Sequence, residues 1–214
     1  MRAWAAAAAL LAATGCQGTL PRTSADPALG YGAVLVQGRL LLPAGETYQG
    51  QLALNLESEH RRYILPFTPG RASLFVVEPG EYRLYPTRGP FGIPDKTLTL
   101  IVERHLARVP FPMAILRKGT LAVRPHRVVP IGVLEATIAR PPGSRRPRVT
   151  VRLDDSPPAR RKLVEQKIEH MLDPRIPLEV RDTAVAWTRA LNEALLEVSA
   201  DEGKGPAFKR ASFH

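Results

Sequence analysis

Proline and glycine set the limits on what this chain can fold into. It carries 21 Pro and 16 Gly in 214 residues, and between residues 32 and 153 they cut the apolar sequence into short runs. Proline presets φ and glycine supplies positive φ, so pairs such as Pro79-Gly80 mark turns. Val34-Leu35-Val36 and Arg39-Leu40-Leu41-Leu42 flank Gly38, and Pro43-Ala44-Gly45-Glu46 turns the chain. From Gln51 to Glu57 the pattern alternates, with Leu52, Leu54 and Leu56 on one face, the mark of a half-buried strand. Arg61–Phe67, Ser73–Val77 and Tyr82–Tyr85 read as further strands, separated by Thr68-Pro69-Gly70-Arg71 and Glu78-Pro79-Gly80-Glu81. Thr97–Val102 is strongly β-prone, while Pro110 and Pro112 give Arg108–Ile115 the character of an edge or a bend. Thr120–Val123, Val128–Leu134 and Val149–Leu153 follow. About nine or ten strands at roughly 8–12-residue spacing predict a mainly antiparallel β-sandwich, placed here at residues 31–155.

The last third has a different period. Ser156-Pro157-Pro158 is a helix start, with Ser as N-cap and Pro at the first helical position. Leu163, Val164, Ile168, Met171 and Leu172 then fall at helical spacing, and Asp173-Pro174-Arg175-Ile176-Pro177 breaks the helix. A second helix is predicted over about 178–199, with Ala184, Trp187, Leu191, Ala194, Leu195 and Val198 as its apolar stripe. A Trp in such a stripe packs the helix on the sheet more often than it anchors an interface. The fold class is therefore α+β, a β-sandwich followed by a two-helix element at 156–200 and a disordered basic tail at 201–214.

The first sixteen residues run Met1-Arg2, then Ala3 to Ala13 without a charge, then Thr14-Gly15-Cys16. As a helix the apolar run reaches about 16 Å, well short of a ~30 Å hydrocarbon core. A basic start, an apolar middle and small residues at the end read as a secretory signal peptide over residues 1–15. Residues 16–30 then form a tether, with two Pro and small polar residues and no periodicity.

Ala13-Thr14-Gly15-Cys16 resembles the lipobox of bacterial lipoproteins, with Ala13 where Leu is the usual residue. The resemblance implies that the Cys16 thiol is acylated before cleavage and that the protein is held on a membrane. Several acyl chains at ~0.8 kcal/mol per buried methylene hold a protein durably where one does not. Gln17 rather than Asp after the Cys implies, within that family, the periplasmic face of the outer membrane. The stretch Phe75–Leu84, with Pro79-Gly80 followed by Tyr82, is similar to hairpins of transthyretin-like and carboxypeptidase regulatory-like domains. Together with Pro130–Leu134, Val149–Asp155 and the basic helix after it, the chain also resembles small uncharacterised envelope lipoproteins. These resemblances imply a fold and supply no catalytic residue.

The residues that could carry chemistry are sparse. His60, His105, His126, His170 and His214 show no i, i+2 or i+4 spacing, so no metal site is predicted, nor any cofactor. One Cys excludes an internal disulfide and a zinc site of several thiolates, and its expected acylation excludes a Cys–His nucleophile. No Gly-x-Ser-x-Gly or phosphate-cradling loop occurs, and the expectation is a protein that is not an enzyme. Asp154-Asp155 is the one tight acidic pair, placed where negative charge favours a following helix rather than where calcium would find enough oxygens.

Arginine dominates the charge. The chain has 30 Lys+Arg against 20 Asp+Glu, for a net +10. Arg61-Arg62, Arg124 with Arg127, Arg145-Arg146-Arg148 and Arg160-Arg161-Lys162 all read as exposed. Arg forks suit phosphate and carboxylate groups, though Arg richness with little Lys also follows from a GC-rich coding sequence. The segment Arg140–Arg148 reads as a hairpin tip, with Arg145, Arg146 and Arg148 as candidate binding residues for an envelope protein or an anionic envelope polymer. Aromatic residues make up 6% of the chain, too few for a nucleic-acid face, and no nucleic-acid partner is expected. The expected role is a membrane-anchored binding or structural module of the envelope. The alternative is an accessory lipoprotein of an assembly or secretion system that docks through its C-terminal helices.

Overall fold

The computed structural model of the protein describes residues 27–42, 52–85, 97–102, 105–110, 119–139, 148–175 and 178–201. The expected signal peptide, Cys16, most of the tether and the basic tail lie outside these residues. Pro27–Leu29 forms a short 3-10 helix in which Pro27 is buried, so the ordered domain takes in residues that the composition assigned to the tether.

Ten strands and two helices follow among the described residues. The strands are β1 (Gly32–Leu41), β2 (Leu52–Glu57), β3 (Arg62–Phe67), β4 (Ala72–Val77), β5 (Gly80–Tyr85), β6 (Thr97–Val102), β7 (His105–Pro110), β8 (Leu121–Val123), β9 (Val128–Ala139) and β10 (Arg148–Asp154). The helices are α1 (Pro157–Met171) and α2 (Leu178–Ala200). One sheet has the order β10-β9-β1-β4, and the other has β7-β6-β2-β5-β8 with β3 on the opposite flank of β2. Among the described residues all pairings are antiparallel except β1 with β9, which run parallel. The α+β class and the largely antiparallel strands match the expectation, and the parallel pair is the departure.

Two apolar layers hold the elements together. Between the sheets, Val34, Val36, Phe75, Val77, Ile131, Leu134, Ala136 and Val151 meet Leu54, Leu56, Tyr63, Leu65, Tyr82, Leu84, Leu121 and Val123. On the outer face of the four-stranded sheet, Ala33, Leu35, Val76 and Val128 meet Leu163 and Val164 of α1 and Trp187, Ala190, Leu191 and Ala194 of α2. The four-stranded sheet is thus the middle layer of three. Strands covered on both faces read as continuous apolar runs. Residues 32–36 of β1 are all buried, and alternation with exposed residues begins at Gln37. In β9 it begins at Thr137. Those two positions mark where the helices stop covering the sheet.

β9 bends through a bulge. Leu35 pairs with Pro130 and Val36 with Gly132, leaving Ile131 as the extra residue. Gly132 has φ +127°, and a Cβ built on it would strike the Asp154 carbonyl oxygen and lie 3.0 Å from Asp155 Cα. This is where β10 ends and crosses to α1. The crossing is capped by Ser156, whose Oγ accepts from Ala159 N at 3.4 Å, with Pro157 and Pro158 opening the helix. Trp187 is 2% exposed and packs α2 onto the sheet.

Candidate binding face

The parallel pairing fixes two opposite poles. β1 and β9 both start at the pole where the chain enters the domain: Tyr31 O accepts from His126 N at 2.8 Å, and Ala33 N donates to Arg127 O at 2.9 Å. Both end at the far pole, where β9 outruns the helices and pairs with β10 as far as Ala139↔Arg148.

On the outer face of the far half, the residues stand in cross-strand rows. Arg39, Glu135 and Arg152 form the first row, Leu41, Thr137 and Thr150 the second, and Ala139 and Arg148 the third. Glu135 is 2% exposed. Its Oε1 accepts from Arg39 Nη1 at 2.8 Å, and its Oε2 accepts a short hydrogen bond from Arg152 Nε. Side-chain exposure is 51% for Arg39 and 73% for Arg152, so one buried carboxylate holds two guanidinium groups whose outer edges face solvent. The Glu135 hydrogen bond, then its charge, raises the Arg152 pKa further above its ordinary value. Thr137, Ala139, Arg148 and Thr150 are all exposed. Arg148 forms no ion pair among the described residues. The result is a largely polar surface on which Arg39, Arg148 and Arg152 stand with Glu135 and, in the next row, Asp154, and on which Leu41 is also exposed.

Asp154 closes the row nearest the helices. Hydrogen bonds from Ser156 hold its carboxyl below the usual range, burial opposes this, and Arg152 and Arg39 add attraction. Its Oδ1 accepts from Ser156 N at 3.1 Å, so the acidic pair belongs to the start of α1, as its position predicts.

The other sequence candidates scatter. Arg145 and Arg146 lie outside the described residues, and Arg148 opens β10 at the far pole. Arg61 pairs with Glu78 at 2.6 Å, and Arg127 pairs with Glu193 at 2.7 Å and Glu197 at 3.2 Å, so the pole where the chain enters spends these cations on neighbouring carboxylates. Arg160 departs from the expectation of exposure. It is 3% exposed because it falls on the α1 face of Leu163 and Val164, at i+3 and i+4, which meets the sheet. Arg62 is half-buried in β3. His60, His126 and His170 are exposed, the side chain of His105 is outside the described set, and His214 lies beyond it. Among the described residues no three His, Cys, Asp or Glu side chains gather as a metal-ligand group.

Sequence reasoning missed Arg39, Glu135 and Arg152. The signal was there: Glu135 is the one charged residue in the apolar run from Val128 to Ile138. A lone carboxylate in such a run needs partners on adjacent strands. What the sequence withheld was which strands those are.

Comparison of the chain with protein-family models, with curated proteins and with solved structures gave no match. The chemistry of this face therefore stands on its own geometry. Among the described residues, no helix is long and apolar enough to cross a membrane.

Proposed function

We propose that this protein is a non-enzymatic lipoprotein of the bacterial envelope, anchored through acylated Cys16 at the periplasmic face of the outer membrane, and that it binds a partner through the bare basic half of its four-stranded sheet. The observation that carries the binding role is the row Arg39–Glu135–Arg152 with Arg148 beyond it, on a face that the helices leave uncovered. Arginine side chains that stay more than half exposed while tied to a buried carboxylate suit carboxylate or phosphate groups. The anchor rests on Ala13-Thr14-Gly15-Cys16 and its apolar lead-in.

Two experiments test the proposal. Charge reversal of Arg145, Arg146 and Arg148 together is expected to abolish recovery of envelope material in a pulldown, and unchanged recovery would overturn the assignment of this face. Cys16→Ser is expected to release the protein from membranes. Wild-type protein with no acyl mass on its N-terminal peptide would end the anchor reading. Docking through the helices is the second reading. It is confined to their outer surface, where Val185 and Leu196 are 59% and 71% exposed, because the apolar stripes already pack on the sheet.

A further inference from the structure

We infer that β10 is a self-pairing edge. Two copies of this chain join their β10 strands antiparallel across a two-fold axis, with Arg148 of each copy facing Asp154 of the other. The two four-stranded sheets thereby become one sheet of eight. Pairing of this kind depends on neither the anchor nor the ligand proposed above. β10 is an outer strand of its sheet, and among the described residues it pairs with β9 alone. β7 of the other sheet lies near it without hydrogen-bonded pairing. An edge strand offers a row of backbone donors and acceptors that templates another strand. A free edge alone names no occupant, but the charges along β10 do.

Arg148, Thr150, Arg152 and Asp154 share the outer face, while Val151 and Leu153 turn to the core between the sheets. Arg148 is exposed and forms no ion pair among the described residues. Asp154 is partly exposed, and its Oδ1 accepts from Ser156 N. A carboxylate has about four acceptor sites, so Asp154 keeps capacity for a guanidinium. A two-fold pairing that sets one position opposite another also sets the second opposite the first. Centred on Val151, it uses the whole strand: Arg148 faces Asp154 and Thr150 faces Arg152, each twice. Registers that keep the outer faces together move in steps of two residues. One step sets Arg152 against Arg152, and the opposite step sets Arg148 against Arg152 twice. Both shorten the overlap, and longer shifts leave only a strand end to pair. Opposite charges directly across a sheet stabilise it and like charges destabilise it. The charges of β10 therefore select one register and one occupant, a second copy. β4, the other edge of this sheet, has no charged residue from Ala72 to Val77 with which to select either. In the paired state Arg39 and Arg152 of both copies stand on one continuous outer face.

The test is sedimentation equilibrium of the full chain in detergent at about 0.15 M salt. Every sample carries Cys16→Ser, so that neither acyl chains nor a thiol can join copies. A seven-residue edge is expected to give a weak dimer, with a dissociation constant on the order of 10–100 µM. Arg148→Glu should weaken it about tenfold or more, because two attractive pairs become two repulsive ones. Arg124→Glu makes the same charge change at an exposed site on the opposite pole and should alter it less than about twofold. Asp154→Asn keeps an oxygen for Ser156 N and should weaken it about threefold. Arg148→Glu and Asp154→Arg should each be monomeric at concentrations where the parent is half dimer. Mixed in equal amounts they should dimerise again, since every charged pair across the mixed seam is once more opposite in sign. A parent that stays monomeric up to about 1 mM overturns the inference. Equal effects of Arg148→Glu and Arg124→Glu would reduce the pairing to net charge and overturn it, as would two variants that melt cooperatively yet fail to dimerise on mixing. If Asp154→Arg loses its cooperative melt, Arg148→Glu and Asp154→Asn decide the matter, and a dimer that neither weakens overturns the register.

Discussion

At the scale of single residues, the side chain that matters most to the exposed face is hidden beneath it. Glu135 is 2% exposed and bonded to Arg39 and Arg152, which are both more than half exposed. Removing a buried member of an ionic cluster leaves partners uncompensated, while removing an exposed member costs little. Glu135→Gln is therefore expected to lower stability by about 1–2 kcal/mol, and Arg152→Ala by less than about 1 kcal/mol, in urea denaturation. Equal losses would mean that the carboxylate is not the centre of the row. Tyr82 makes a second prediction. Burial, then the neighbouring Tyr63, raises its phenol pKa far above the ordinary value of 10.0, and its hydroxyl donates to Glu78 O at 2.7 Å. A pKa raised by folding contributes stability that is intact below the unfolded value and is lost as pH climbs through the folded one. The midpoint of thermal unfolding should fall between about pH 10 and 12. Lys167, whose pKa burial lowers, acts in the opposite sense, and its contribution is complete once the pH has climbed to its ordinary value of 10.5, near the start of that range. The decisive comparison is thus with Tyr82→Phe, which should cost about 1 kcal/mol at neutral pH and show a shallower alkaline loss than the parent. Parallel pH curves for parent and variant would refute the assignment.

At the scale of elements, the bulge in β9 is where local backbone and topology meet. Gly132 combines φ +127° with the Asp154–Asp155 backbone directly against its α-carbon. Gly70 has φ +85° with nothing within 4 Å of a built Cβ. Gly132→Ala should cost about 3 kcal/mol or more, strain plus a backbone displacement, and Gly70→Ala only about 1 kcal/mol, by chemical denaturation. Similar values for the two would mean that the close approach is absent. The same elements show what the sequence could and could not disclose. Turn chemistry at Pro69-Gly70 and Pro79-Gly80, the alternation of Leu52, Leu54 and Leu56, and the Ser156 cap are local, and they place strands and helices within a residue or two. The parallel pairing of β1 with β9 joins residues about 95 positions apart, and no local pattern names a partner at that range. Its one trace is the unbroken apolar run at residues 33–36 and again at 128–134, which two-sided burial requires. Placing both runs in a two-layer β-sandwich left the middle layer unseen. It also hid the neighbours of Glu135, and with them all of the binding face except Arg148.

At the scale of the whole molecule, the middle sheet ties the helices to the fold. The half of the sheet nearest the chain's entry presents Ala33, Leu35, Val76 and Val128 to α1 and α2, all at 3% exposure or less. A β-sandwich carrying an appended helical arm would survive loss of the arm. A three-layer domain would not, because its central sheet would face water on an apolar side while the two helices take Leu163, Val164, Trp187 and Leu191 away from it. Deleting residues 157–214 is therefore expected to abolish the cooperative thermal transition and to leave a species that binds a hydrophobic dye. Trp187→Ala, which opens a cavity in the same layer, is the milder version, with an expected loss of about 3–5 kcal/mol and retention of the fold near room temperature. If the deletion variant instead melts cooperatively and exposes no apolar surface, α1 and α2 are an appendage, their buried stripe is free to serve a partner, and the docking reading displaces the basic face as the protein's site of action.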